Sequence, residues 1–158
     1  MERGNVAIRF RGEHIQKVDD KCRLSIPAAF RQALEAHGDS RLVLCKSVSG
    51  GCIQVYTASD WEAVEDKILA APPSDQAVRN LRRFQVASSV MAEPDGHGRV
   101  LLPTALRAYA GVSASTEVVI ASQINWFEVW QKDRWDAEQQ RIESALPEWG
   151  NDLARLGL

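Results

Sequence analysis

The chain has no apolar run near the 18 residues that a membrane-spanning helix needs. Its N-terminus, MERGNVAIRFRGE, carries charges where a signal peptide would be apolar, so none is expected. Cysteine is scarce. Cys22, Cys45 and Cys52 form no C-x-x-C pair, and three thiols read as reduced cysteines of a cytosolic protein. His14, His37 and His97 are scattered, so neither a zinc site nor another metal centre is expected. There is no P-loop and no G-x-G-x-x-G pattern. No cysteine or aspartate stands in an evident catalytic constellation, which argues against an enzyme and against a cofactor. The five tryptophans are not interleaved with basic residues, as a single-strand stacking platform requires. With 45% hydrophobic and 25% charged residues, the 158-residue chain is expected to be globular.

Excess charge of either sign is also missing, since the formal net charge is −2. Its distribution is uneven. Residues 1–34 and 76–110 each carry a net of +3, whereas residues 35–75 carry −4 and residues 128–158 carry −3. Phosphate affinity follows the local field, so the global sum does not exclude a nucleic-acid partner.

What the chain does have is one motif stated twice. VDDKCRLSIPAAFRQAL (18–34) aligns without a gap on PDGHGRVLLPTALRAYA (94–110). The copies share Asp19/Asp95, Arg23/Arg99, Pro27/Pro103, Ala29/Ala105 and Arg31/Arg107. The echo continues from Leu42-Val43-Leu44 to Val118-Val119-Ile120, and after a two-residue slip from VYTASDW (55–61) to VWQKDRW (129–135). Two structural half-copies packed into one unit are therefore expected. In each copy an aspartate suits a polar turn, the arginine opens a short strand, and the proline suits the first position of a helix.

Periodicity predicts one or two strands over 7–18, a strand at 23–26, a helix at 27–38 ended by Gly38, and strands at 41–45 and 52–56. Ser59 with Glu62 reads as a capping box for a helix whose Trp61, Val64 and Ile68 share a stripe. PPSD (72–75) breaks the chain. Residues 76–88 read as a helix with Leu81 and Phe84 inward and Arg79, Arg82 and Arg83 exposed. The second half repeats the plan, with a turn at 94–99, a strand at 99–102, a helix at 103–110, strands near 117–122 and 126–131, and a helix at 132–146. Residues 147–158 read as a weakly ordered tail.

These residues resemble the MraZ family of bacterial transcriptional regulators and, more distantly, the AbrB-type swapped-hairpin domains. FRG (10–12), DDKCRLSIP (19–27), DGHGRVLLP (95–103) and NWFEVW (125–130) match the family's segments in order. Cys22 departs from the pattern, standing where the family and the second copy (Gly98) have glycine. The resemblance implies an α+β fold in which two tandem half-copies, 7–75 and 76–146, form one pseudo-twofold domain flanked by helices, followed by the tail 147–158. It implies a homo-oligomer, a closed ring, that binds spaced direct repeats of double-stranded DNA in the promoter of the division and cell-wall gene cluster. Such a protein would lie in the cytoplasm, at the nucleoid. Arg23 and Arg99 are the first candidates for DNA contact, followed by Lys21, Lys17, Arg31 and Arg107; Asp19, Asp95 and Gly98 would shape the turns. The alternative is an oligomeric protein-interaction scaffold or antitoxin-like module of the same fold.

Overall fold

In the computed structural model, which describes residues 7–158, the repeated sequence becomes repeated structure. Residues 1–6, with Arg3, lie outside the described residues. The first half runs β1 (Glu13–Lys17), β2 (Arg23–Ser25), α1 (Ala28–His37), β3 (Leu42–Lys46), β4 (Ile53–Thr57) and α2 (Ala58–Ala70). Next come α3 (Gln76–Leu81) and a π-helical turn, Arg82–Val86. The second half runs β5 (Val90–Ala92), β6 (Arg99–Leu101), α4 (Thr104–Ala110), β7 (Glu117–Ser122), β8 (Trp126–Gln131) and α5 (Lys132–Ser144). It closes with α6 (Leu146–Leu153) and a short 3-10 turn.

Six strands form an antiparallel sheet in the order β1-β7-β8-β4-β3-β5, and β2 pairs with β6 in a separate two-stranded ribbon. The order reads the same from either edge once each strand is exchanged for its repeat partner. Each edge strand is lent to the other half: β1 pairs with β7, and β5 pairs with β3. This is the swapped-hairpin arrangement. The registers locate its pseudo-twofold axis. In the ribbon Leu24 faces Val100, and in the sheet Gln54 faces Glu128. Each pair consists of repeat equivalents, so the axis passes through both.

Burial holds the two layers together. Leu24 and Val100 on the inner side of the ribbon join Phe10, Phe30, Leu42, Leu44, Ile53, Ile120 and Phe127 in one core. At its centre three phenyl rings meet with centroids 4.9 to 5.2 Å apart, a spacing at which aromatic rings attract beyond their buried area. The opposite sheet face carries a smaller cluster of Val43, Cys45 and Trp61, with Tyr56, Val64 and Val86 against it.

Several local expectations change. Pro27 and Pro103 are N-caps, one residue before the first helical position, with extended ψ of 143° and 146°. Their carbonyls accept the first helical bonds, from the amides of Arg31 and Arg107. The cap of α2 is Thr57, whose hydroxyl accepts from the Asp60 amide at 3.1 Å. Ser59 does not cap, because the helix starts directly after β4; its hydroxyl instead meets His37 Nε2 at 3.2 Å. Gln131 caps α5 at the matching place. Phe84 is exposed, and the inward residue is Gln85, 6% exposed. The wide π turn shifts the buried position by one residue. Gln85 donates to Gln54 Oε1 at 2.7 Å and to the Lys46 carbonyl at 3.1 Å. Strand β5 was not anticipated, and much of 147–158 is helical rather than a loose tail.

Candidate nucleic-acid interface

Each Asp-x-x-x-Arg motif folds into one tight turn. In the first, the Cys22 amide donates to the Asp19 carbonyl and the Asp19 amide to the Arg23 carbonyl, both at 3.1 Å. In the second, Gly98 and Asp95 repeat these bonds with Asp95 and Arg99, both at 2.9 Å. The aspartate side chains lock the loops from inside. Asp19 Oδ1 accepts from the amides of Lys21 and Arg23 at 2.9 and 2.8 Å. Asp95 Oδ1 accepts from His97 and Arg99 at 2.8 and 3.0 Å. Bonding of the Arg23 and Arg99 amides to the ionised carboxylates is the largest cause holding Asp19 and Asp95 below the usual carboxylate range.

A turn closed in this way needs a left-handed residue before its arginine. Cys22 and Gly98 supply it, with φ of 62° and 74°. Glycine adopts this region freely, whereas a side chain there is strained. So Cys22 is strained where Gly98 is not. The turns also clasp each other. The Ile26 amide donates to the Gly98 carbonyl at 2.8 Å, and the Leu102 amide to the Cys22 carbonyl at 3.0 Å.

With Leu24 and Val100 turned inward, strand alternation places Arg23, Ser25, Arg99 and Leu101 on the outer face of the ribbon. The arginines occupy diagonal corners: Arg23 lies opposite Leu101, and Arg99 opposite Ser25. Both reach one carboxylate. Asp19 Oδ2 accepts from Arg23 Nε at 2.7 Å and lies 3.9 Å from Arg99 Nη1. Arg99 Nε also meets Asp95 Oδ2 at 3.3 Å. Both Nη atoms of Arg23 have no hydrogen-bond partner among the described residues. A local ion pair therefore closes each turn, and it leaves donors unused.

The other basic candidates are spread more widely. Lys21 is exposed at the tip of the first turn; its repeat equivalent is His97. Arg31 lies along α1 over Gly98, close enough that a Cβ on Gly98 would fall 2.5 Å from its Cδ. Arg107 is tied down, donating through Nε to the Leu102 carbonyl at 2.9 Å and through Nη2 to the Thr104 hydroxyl at 3.1 Å. Lys17 lies apart, across from Glu117. His14 packs on Phe30 and Gln16 donates to the Ser25 carbonyl, so alternation along β1 turns Lys17 to the other sheet face. Sequence reasoning passed over Ser25 and Leu101. Their signal was period-two spacing from Arg23 and Arg99, which assigns each to the face of its arginine.

Among the described residues no three metal-ligating side chains cluster, and no helix is long and apolar enough to cross a membrane. Cys45 and Cys52 are buried, and burial raises both thiol pKa values, that of Cys45 to about 12.

The family model described as MraZ protein, antitoxin-like, matches residues 9–84 and again 87–148. Proteins named Transcriptional regulator MraZ align over most of their length. One from Legionella pneumophila is 37% identical over 146 residues, covering 88% of this chain and 95% of the relative. One from Shewanella oneidensis is 33% identical, covering 92% and 93%. One from Desulforapulum autotrophicum is 32% identical, covering 94% and 99%. With both halves matched and the repeat preserved in the structure, the chain belongs to the MraZ family.

Proposed function

We propose that this protein is a transcriptional regulator that binds double-stranded DNA through the outer face of the β2–β6 ribbon. The observation that carries the reading is the convergence of Arg23 and Arg99, related by the pseudo-twofold axis, on a face with exposed polar neighbours and unused donors. A two-stranded ribbon fits the B-DNA major groove. Arg23 and Arg99 enter it, Lys21 and Arg31 flank them toward the phosphates, and Arg107 holds the end of β6 in place. Lys17, on the other sheet face, contributes to the field rather than to contact. Asp19 and Asp95 keep the arginines oriented before DNA arrives, which lowers the ordering cost of binding.

One chain offers few phosphate contacts, so useful affinity requires several copies. A closed ring on spaced direct repeats, in the promoter of the division and cell-wall gene cluster and upstream of the regulator's own gene, supplies them by raising effective concentration. Its place is the cytoplasm, at the nucleoid. The test is a gel shift with the chain's own upstream DNA, using probes of one, two and three repeats at several salt concentrations. Affinity is expected to rise with repeat number and fall with salt. Arg23→Ala and Arg99→Ala should each weaken binding by about 1–3 kcal/mol while melting cooperatively. Parent-like binding by both variants would reject the assignment.

A second reading, an oligomeric scaffold or antitoxin-like module, is favoured by the exposed Leu146, Trp149, Leu156 and Leu158 of the C-terminal segment. Under that reading no probe shifts.

A further inference from the structure

The ribbon and its turns are not symmetric in sequence. Equivalent places under the axis hold Lys21 and His97, Cys22 and Gly98, and Ser25 and Leu101. The last pair is the most telling. Leu101 is 60% exposed, although its neighbours Val100 and Leu102 are buried. The ribbon's apolar contact with the core is made by Leu24 and Val100. Leu101 thus contributes little to the fold and stands directly across from Arg23. At the other end the residue across from Arg99 is the small hydroxyl of Ser25.

We propose that Leu101 and Ser25 make the two ends of the ribbon read DNA differently: Leu101 selects a thymine beside the base pair approached by Arg23, and Ser25 leaves the Arg99 end without that demand. The inference rests on the DNA reading above and adds specificity to it. In the major groove thymine alone presents a methyl group, and an apolar side chain is what favours it. Residues directly opposite in an antiparallel pair have Cα atoms about 4.5–5.5 Å apart. Arg23 and Leu101 therefore stand close enough to approach neighbouring base pairs. A serine hydroxyl both donates and accepts, so it tolerates several bases. The consequence is polarity. A ribbon with unlike ends sits on a site in one direction only, and each site it prefers is non-palindromic.

Removing only the methyl group tests this. In a duplex of the chain's own upstream DNA, each thymine is replaced in turn by uracil, and affinity is measured for the parent, Leu101→Ser and Ser25→Leu. The parent is expected to lose about three- to fivefold at one thymine per bound repeat, the value of one desolvated methyl. Leu101→Ser should lose that sensitivity while keeping parental melting. Ser25→Leu should gain a second sensitive position, related to the first by the axis. Tight parental binding with no uracil-sensitive thymine, or equal sensitivity in Leu101→Ser, overturns the inference and leaves the DNA reading standing. Failure of the parent to bind the unmodified duplex rejects both.

Discussion

Replacing Gly98 by alanine probes the turn that carries Arg99, and its cost can be built from two separate contributions. The first is backbone conformation. At φ of 74° a side chain costs about 1–2 kcal/mol relative to its preferred region. The second is steric. The new Cβ would sit 2.5 Å from Arg31 Cδ and 2.9 Å from Nη1, so the arginine must leave its place. Crowding of this kind costs about 1 kcal/mol when the neighbour is the flexible end of a side chain. The sum, about 2–3 kcal/mol, corresponds to a fall of about 5–10 °C in Tm for a chain of this length. The contributions separate in an Arg31→Ala background, where the steric part vanishes and the conformational part stays. Thermal and urea unfolding of the parent, both single variants and the double variant give the coupling, expected near 1 kcal/mol. An identical cost in both backgrounds would show that Arg31 does not rest on Gly98. No cost in either would show that the turn is not left-handed.

Cys22→Gly relieves the same strain in the first turn, offset by extra freedom of the unfolded chain and by lost packing of the half-buried thiol, so stability should be unchanged or rise by up to about 1 kcal/mol in urea unfolding. Phe127→Ala removes the ring that touches both Phe10 and Phe30 and should cost about 3–5 kcal/mol by the same assay. A thiol reagent should modify Cys22 alone in the native protein and all three cysteines after denaturation, because Cys45 and Cys52 are fully buried with thiol pKa values pushed up. The Arg41 guanidinium holds Asp39 at about 2, below its ordinary 3.8. Its contribution to stability is therefore complete above pH 3.8 and is lost as pH falls toward 2; Asp39→Asn should flatten the acid side of a Tm-against-pH curve.

The repeat was legible because each copy preserves Asp, Arg and Pro at fixed spacing, and those residues are what the turn and the helix entry require. The strands of each half were legible from alternation. Their interleaving across halves was implied by the swapped-hairpin resemblance, but β5 was missed, because with exposed Val90 and Met91 it looks like connecting chain until β3 is placed beside it. Ser59 misled because Thr57 belongs at once to β4 and to the cap of α2. Phe84 misled because a 3.6-residue period cannot anticipate a π turn. In the candidate site each Asp–Arg pair was readable as a local contact. The reach of Arg99 to Asp19 was not, since it depends on the ribbon bringing residues from the two halves together.

The exchange of edge strands turns the exposed Pro72–Asp75 segment into a seam. A chain cut there would leave two fragments, each lacking a sheet edge that only the other supplies. Neither could complete its sheet alone, and mixing them should restore the fold in a second-order reaction whose yield depends on dilution. In the intact protein that reassociation is intramolecular. The tether makes folding independent of concentration, and it also releases the halves from sequence identity. A symmetric pair of separate chains must carry every substitution twice, whereas here either copy can change alone.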